Sequence, residues 1–142
     1  MSHLRPGDVA CWLVKTALPP ERLDPGWAPG EERVLDRCVR PSYRLDLMAP
    51  GQPCVLWLSG RDRPGVHAVG TVAGEVADGP GGPAVPLRLR LLATPLPRAE
   101  LVEDPHFRDA EVLRMPAGSN PSWLSTRQFA VLSRSSAAGL GP

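Results

Sequence analysis

Lysine is almost missing from this chain: of its 16 basic side chains only Lys15 is not arginine. With 15 acidic residues the net charge is +1 at pH 7. No whole-molecule field gathers nucleic acid, so any such contact must come from a local patch. Arginine with abundant Ala, Gly and Pro is the signature of GC-rich coding, and it also suits bidentate contacts to phosphate or carboxylate. Cysteine is scarce and odd in number. Cys11, Cys38 and Cys54 have no CxxC spacing, which excludes a disulfide framework and a paired-cysteine metal site. Buried free thiols in a reducing cytoplasm are the expectation. His3, His67 and His106 lie far apart without ligand spacing, so no metal is expected. There is no GxSxG, no HExxH and no glycine loop opening a helix. Gly79, Gly81 and Gly82 belong to a loop, so no cofactor is implied. Membrane-length apolar runs are absent, and the first residues lack the basic-apolar-small order of a leader. A cytoplasmic protein with no membrane contact is expected.

What is present is proline and glycine, 18 and 14 in 142 residues. They keep helices few and short. The length is that of one domain, taken as 1–134, with a disordered tail over 135–142. The central stretch is Pro50–Gly74. Between Pro-Gly turns, Cys54–Leu58 (CVLWL) is a short apolar run that reads as a strand buried on both faces. Val66–Val76 reads as its hairpin partner, with Gly70 and Gly74 marking bulges or coiling in a small closed sheet. Val9–Val14 (VACWLV) is a second buried strand. Glu31–Arg40 holds a strand or helical turn, and Ser42–Ala49 a short helix with Ser42 as N-cap. Ala77–Pro86 is a flexible loop. Val85–Leu92 alternates as a half-buried strand with Arg88 and Arg90 outward. Arg98–Asp104 reads as a helical turn and Glu111–Met115 as a strand. Ser125–Leu132 is the last helix, with Ser125 and Gln128 in capping-box spacing. The fold class is α+β, mainly β: five or six mixed strands in a small barrel with two or three short helices.

The chemistry concentrates where two buried strands end. Trp12 precedes Lys15–Thr16, and Trp57 precedes Ser59–Gly60. If the strands are neighbours, backbone amides and hydroxyls meet at one mouth, where a flat ligand can be stacked and read at its edge. For Trp12 and Trp57 taken singly the core reading outweighs this one, because both sit in apolar runs. Trp27, alone in a Pro/Gly loop, is either a lid on the core or a stacking platform. Ser119–Asn120 in Pro116–Trp123 offers hydrogen bonds, though turn chemistry also explains it. No catalytic residue is assigned. A thiol–imidazole pair from Cys38 or Cys54 with His67 or His106 is outweighed by burial of the thiols.

Taken in order, VACWLVKT, RCVRPSYRLDLMAPGQPCVLWLSG, GVHAVGTVAGEV and PLRLRLL resemble the EVE domain of the PUA-like superfamily, which also contains the YTH readers of methylated adenine. The likeness spans Val9 to Leu132 and rests on Lys15–Thr16, Val39–Arg40, Gly51–Gln52, Trp57–Ser59, Gly65–Val66 and Val69–Gly70–Val72. It implies a pseudobarrel with a pocket at one end that binds a modified base of DNA or RNA, flipped from its stack. It places Lys15, Thr16, Ser59 and Gly60 around that pocket and Arg40 near a phosphate. Two positions depart from the family pattern. Arg37–Cys38 stands where a Trp often precedes Val-Arg, and Gly51–Gln52 stands for Gly-Asp. Trp27 or Tyr43 would then supply the missing wall. Two other readings stand beside the reader. One is a protein-interaction module with a closed pocket and an Arg88/Arg90 surface. The other is an enzyme using His67, His106 or a carboxylate as base.

Overall fold

The computed structural model describes residues 3–135. Its centre is a parallel pair, β1 (Cys11–Thr16) and β3 (Pro53–Leu58), in register from Trp12↔Cys54 to Thr16↔Leu58. Both are apolar throughout because both faces are covered. Cys11, Leu13, Val55 and Trp57 face a helical layer; Trp12, Val14, Cys54 and Leu56 face the interior of the curled sheet. Between them come helix α1 (Pro20–Leu23), strand β2 (Glu32–Cys38) and a 3-10 helix, Tyr43–Leu47. Ser42 caps that helix, its hydroxyl accepting from the Arg44 N–H at 3.2 Å.

β4 (Gly65–Val72) returns antiparallel beside β3. The expected hairpin therefore forms, but its second strand stops at Val72 rather than Val76. Ala77–Pro86 is not a loose loop. Ala77–Gly79 (β5) turns tightly into β6, Gly82–Pro97, with Gly82 at φ +104°. β6 pairs with β4, β2 and β5. Its prolines are tolerated because their carbonyls still accept: Val39 N–H donates to Pro83 and Ala73 N–H to Pro86. Helix α2 (Arg98–Leu101), a 3-10 turn at Phe107–Asp109 and helix α3 (Glu111–Arg114) follow. Glu111–Met115 was expected as a strand. It is a helical turn that continues from Ala110, whose carbonyl accepts from Leu113 and Arg114. β7 (Ser122–Leu124) then pairs with β1, and α4 (Thr126–Ser135) closes the chain with its capping box made: Ser125 N–H to Gln128 at 3.0 Å and Gln128 N–H to Ser125 Oγ at 3.2 Å. Ser135, the first residue of the expected tail, thus belongs to a helix, and 136–142 lie outside the described residues.

The sheet order is β2-β6-β4-β3-β1-β7, with β5 beside β6. These are seven strands of mixed direction with four α-helices, an α+β pseudobarrel. The sheet is open, not closed as expected. Its two end strands share no ladder, and one backbone bond spans them, Arg40 N–H to the Asn120 carbonyl at 2.9 Å. The inner core, with Trp27, Val39, Met48, Val85, Leu87 and Leu89, is sealed by that curl. No helix of the described residues is long and apolar enough to cross a membrane.

Curvature comes from register shifts at Leu56/Trp57 and Val66/Ala68 and from Gly70, where β6 passes so close that a Cβ would run into the Arg88 carbonyl. Gly70→Ala should therefore destabilise by about 3 kcal/mol, the upper part of the overpacking range, as read by urea denaturation. A cost near zero would mean that β4 and β6 do not approach as described.

Candidate functional site

Because β1 and β3 are parallel neighbours, the segments that follow them emerge together. Ser59 N–H donates to the Thr16 carbonyl at 2.9 Å. Thr16 is buried, and its hydroxyl is engaged locally, accepting from Leu18 N–H and facing the Leu18 carbonyl, both at 3.1 Å. Ser59 is half-buried, and Gly60, at φ +111°, turns the chain away.

β7 would continue alongside Val14 and Lys15, but Pro121 has no N–H to donate. The side chain of Asn120 replaces the ladder. Its Oδ1 accepts from Lys15 N–H at 2.8 Å, and its Nδ2 donates to the Lys15 carbonyl at 3.0 Å. Its own carbonyl receives Arg40, whose Nη1 reaches Ser119 Oγ at 3.2 Å. A continuous path of bonds thus runs Ser59–Thr16–Lys15–Asn120–Arg40–Ser119. A cleft of about 210 Å³ opens beside it, lined by Arg40, Ser42, Arg44, Glu111, Ser119 and Asn120 among others. The Lys15 ammonium donates to the carbonyls of Met115, Pro116 and Gly118 at 3.2, 3.3 and 2.8 Å. Burial lowers its pKa, and Glu111 opposes that shift.

Arg44 holds Glu111 in a fork at 2.9 and 2.7 Å and also donates to the Pro121 carbonyl, while Ser122 Oγ donates to Glu111 at 2.9 Å. This arrangement fastens the 3-10 helix to α3 and β7. The Arg44 hydrogen bond, with help from Ser122, keeps the Glu111 carboxyl below the usual range, and burial only partly offsets this. Glu111 is thus an anchored anion and a weakened base.

The aromatic residues do not form an open cage. Trp12 is fully buried, its indole N–H donating to Gln52 Oε1 at 2.7 Å. Gln52 also accepts from Ala49 and donates to the Leu47 carbonyl. The glutamine standing for aspartate therefore supplies a donor that a carboxylate could not. Trp57 lies on the opposite face of the sheet, buried and stacked on Phe107 at 6.3 Å. Trp27 is a lid on the inner core, bonded through its indole to Glu31. The Tyr43 ring is stacked by His3 at 4.2 Å, and its hydroxyl accepts from Leu4. Of the aromatics picked from the sequence, Trp12, Trp27 and Trp57 are placed in the core instead of a pocket wall.

The other candidates are also occupied or distant. His67 is buried against the Arg63 carbonyl at 2.7 Å, and burial lowers its pKa. Cys11 and Cys54 are free and buried, and burial pushes Cys54 to about 12. Neither is a ready nucleophile. Cys38 is free and exposed. Among the described residues no group of three His, Cys, Asp or Glu could hold a metal ion. Glu111 was not among the expected site residues; a bidentate pair with Arg44, 67 residues away in sequence, leaves no local signal.

With this geometry in place, the α+β pseudobarrel is a fold this chain shares with several solved structures. No protein-family model matches the sequence, and no curated protein does. Solved structures do match. A hypothetical protein from Leishmania major shares 18% identity over 92% of this chain and 96% of that one, at TM-score 0.67. A Rhodopseudomonas palustris protein shares 17%, covering 92% and 94%, at TM-score 0.69. The human THYN1 protein, solved in complex with DNA containing 5-methylcytosine, shares 14% over 86% of this chain and 94% of that one, at TM-score 0.59.

Two outcomes follow from the seam. Asn120→Ala strips both Lys15 backbone groups of partners and should cost about 2 kcal/mol in chemical denaturation. Glu111 is depressed in the folded state, so its stabilisation is complete above the unfolded carboxyl range and is lost as pH falls through the folded value. Glu111→Gln should therefore be less stable than wild type at pH 7, with the gap closing below about pH 4. A pH-independent gap would show that the ion pair is not its source.

Proposed function

We propose that this protein is a non-enzymatic reader of a modified base in nucleic acid. The base would enter beside the Thr16–Ser59 junction, and the Arg40–Ser119–Asn120 edge would contact it or its backbone. One observation carries this reading: four separate parts of the chain, Ser59, Lys15–Thr16, Ser119–Asn120 and Arg40, join in a single path of bonds whose Arg40–Ser119–Asn120 end lines an open cleft. The fold shared with a protein solved on 5-methylcytosine DNA supports it. Arg40 is exposed and bonded only to neutral partners, so its charge is available to a phosphate. Arg61 is exposed on the Ser59–Gly60 side. Arg44 and Arg63 serve otherwise, on Glu111 and on Glu21. The electropositive rim is therefore small, in keeping with the balanced net charge.

A base-catalysed reaction is less well supported. Glu111, the carboxylate in the cleft lining, is already paired. The interaction-module reading rests on a closed pocket: Trp12 and Trp57 are buried as it requires, and the open cleft is lined by Arg40, Arg44, Glu111, Ser119 and Asn120 and not by Thr16 or Ser59.

Labelled oligonucleotides carrying one cytosine or one 5-methylcytosine test the proposal by fluorescence anisotropy. Arg40→Ala should weaken both about equally, by about three- to tenfold, and lower the salt slope by about one. Binding that is unchanged in Arg40→Ala, or no binding to any oligonucleotide, would overturn it.

A further inference from the structure

Glu111 is anchored, yet its carboxylate is not filled. Oε1 accepts from both Arg44 Nη1 and Ser122 Oγ, at 2.9 Å each, while Oε2 accepts only from Arg44 Nη2, at 2.7 Å. A carboxylate oxygen takes two such bonds, so Oε2 keeps one acceptor position. The side chain is still 16% exposed, and it lines the cleft of about 210 Å³. Two hydroxyls line the same cleft with the opposite capacity. Ser42 Oγ accepts from Arg44 N–H and Ser119 Oγ from Arg40 Nη1, both at 3.2 Å, and among the described residues neither hydroxyl donates to a partner. The Asn120 amide, by contrast, is spent on Lys15. The cleft thus offers a ligand one charged acceptor and two hydroxyl donors.

A bare carboxylate would repel a nucleic-acid backbone. This one is neutralised by Arg44, and the Lys15 charge adds to the same effect. Arg40 stands in the lining with its own charge uncommitted. The local balance is therefore positive, although the polar group with an unused acceptor is an anion. Pairing with Arg44 makes Glu111 a poor base, but it fixes the carboxylate in place as an acceptor.

The geometry points to Glu111 as the specificity-determining residue of the proposed reader: Oε2 accepts from the exocyclic amino group of a cytosine seated in the cleft, where the Ser42 and Ser119 hydroxyls are available to the ring acceptors N3 and O2. This rests on the reader function proposed above, which brings a base or its backbone to the Arg40–Ser119–Asn120 edge of this cleft. Among the four bases only cytosine carries one donor and two acceptors along its pairing edge. Thymine sets a carbonyl oxygen where cytosine has its amino group, so it would face the carboxylate with a second acceptor. A methyl group at C5 leaves that edge unchanged. Glu111 therefore reads the amino group and is indifferent to the methyl.

Anisotropy titrations decide the matter with four single-stranded oligonucleotides, each a purine strand with one central cytosine, 5-methylcytosine, thymine or 5-methyl-2-pyrimidinone. Single strands keep base-pairing energy out of the comparison. The pyrimidinone retains N3 and O2 and lacks only the amino group. Wild type should bind 5-methylcytosine about ten- to a hundredfold more tightly than thymine or the pyrimidinone. In Glu111→Gln the side-chain oxygen is claimed by Arg44 and Ser122, and the amide turns an N–H towards the cleft. Its preference for 5-methylcytosine over thymine should vanish, with thymine bound no more weakly than by wild type. A melting curve at pH 7 checks that this variant is folded at the titration temperature. Should it not fold, the wild-type comparison of 5-methylcytosine with the pyrimidinone carries the test alone. Equal wild-type binding of those two, or an undiminished preference in folded Glu111→Gln, overturns the inference. If binding is present and sensitive to Arg40 but blind to the amino group, only this inference falls. If no oligonucleotide binds, the reader function falls and this with it.

Discussion

The architecture depends on one primary amide standing in for a strand. Pro121 cannot donate, so β7 cannot continue its ladder past Ser122↔Leu13, and the Asn120 side chain takes over both the N–H and the carbonyl of Lys15. That substitution leaves the Asn120 backbone carbonyl free to accept Arg40 from the far end of the sheet. The curl that encloses Trp12, Leu56 and Leu87 is thus held by a joint and not a closed ladder. The joint also borders the cleft lined by Arg40, Arg44, Glu111, Ser119 and Asn120, so polar groups collect there.

The same joint sorts the cations. Most arginines near it are consumed by structure: Arg44 on Glu111, Arg33 on Asp24 and Glu31, Arg63 on Glu21. Lys15 is consumed on three carbonyls. Arg40 is left on the solvent side of the seam, exposed and bonded through its Nη1 to Ser119. The composition, nearly neutral overall, gives no hint of it.

Much of this was legible before any coordinates. CVLWL and VACWLV had to be doubly buried strands, and the parallel β1–β3 pair shows why: helices cover one face and the curled sheet the other. Ser125 and Gln128 announced α4, and Lys15–Thr16 with Ser59–Gly60 announced strand ends that lie side by side, where Ser59 N–H meets the Thr16 carbonyl. Three things were hidden. EVLRM reads as a strand by composition, but Ala110 carries it into a helical turn. The ADGPGGP stretch looks like a loose loop because its prolines cannot donate, yet β6 uses them as acceptors. The Glu111–Arg44 fork joins segments with no local relation. Pairings of that kind follow from packing, and no spacing rule encodes them.

Trp12 and Trp57 are kept from sharing one wall by parity. β1 and β3 are in register with Trp12 beside Cys54 and Lys15 beside Trp57. Trp12 and Lys15 are three residues apart, an odd number, and side chains alternate along a strand. The two indoles must therefore lie on opposite faces, one inside the curl on Gln52 and the other outside on Phe107. Any even offset would have put both rings on one side of the mouth. With the rings divided, what remains at the ends of β1 and β3 is polar: backbone groups, the half-buried Ser59 and the Asn120 amide on Lys15.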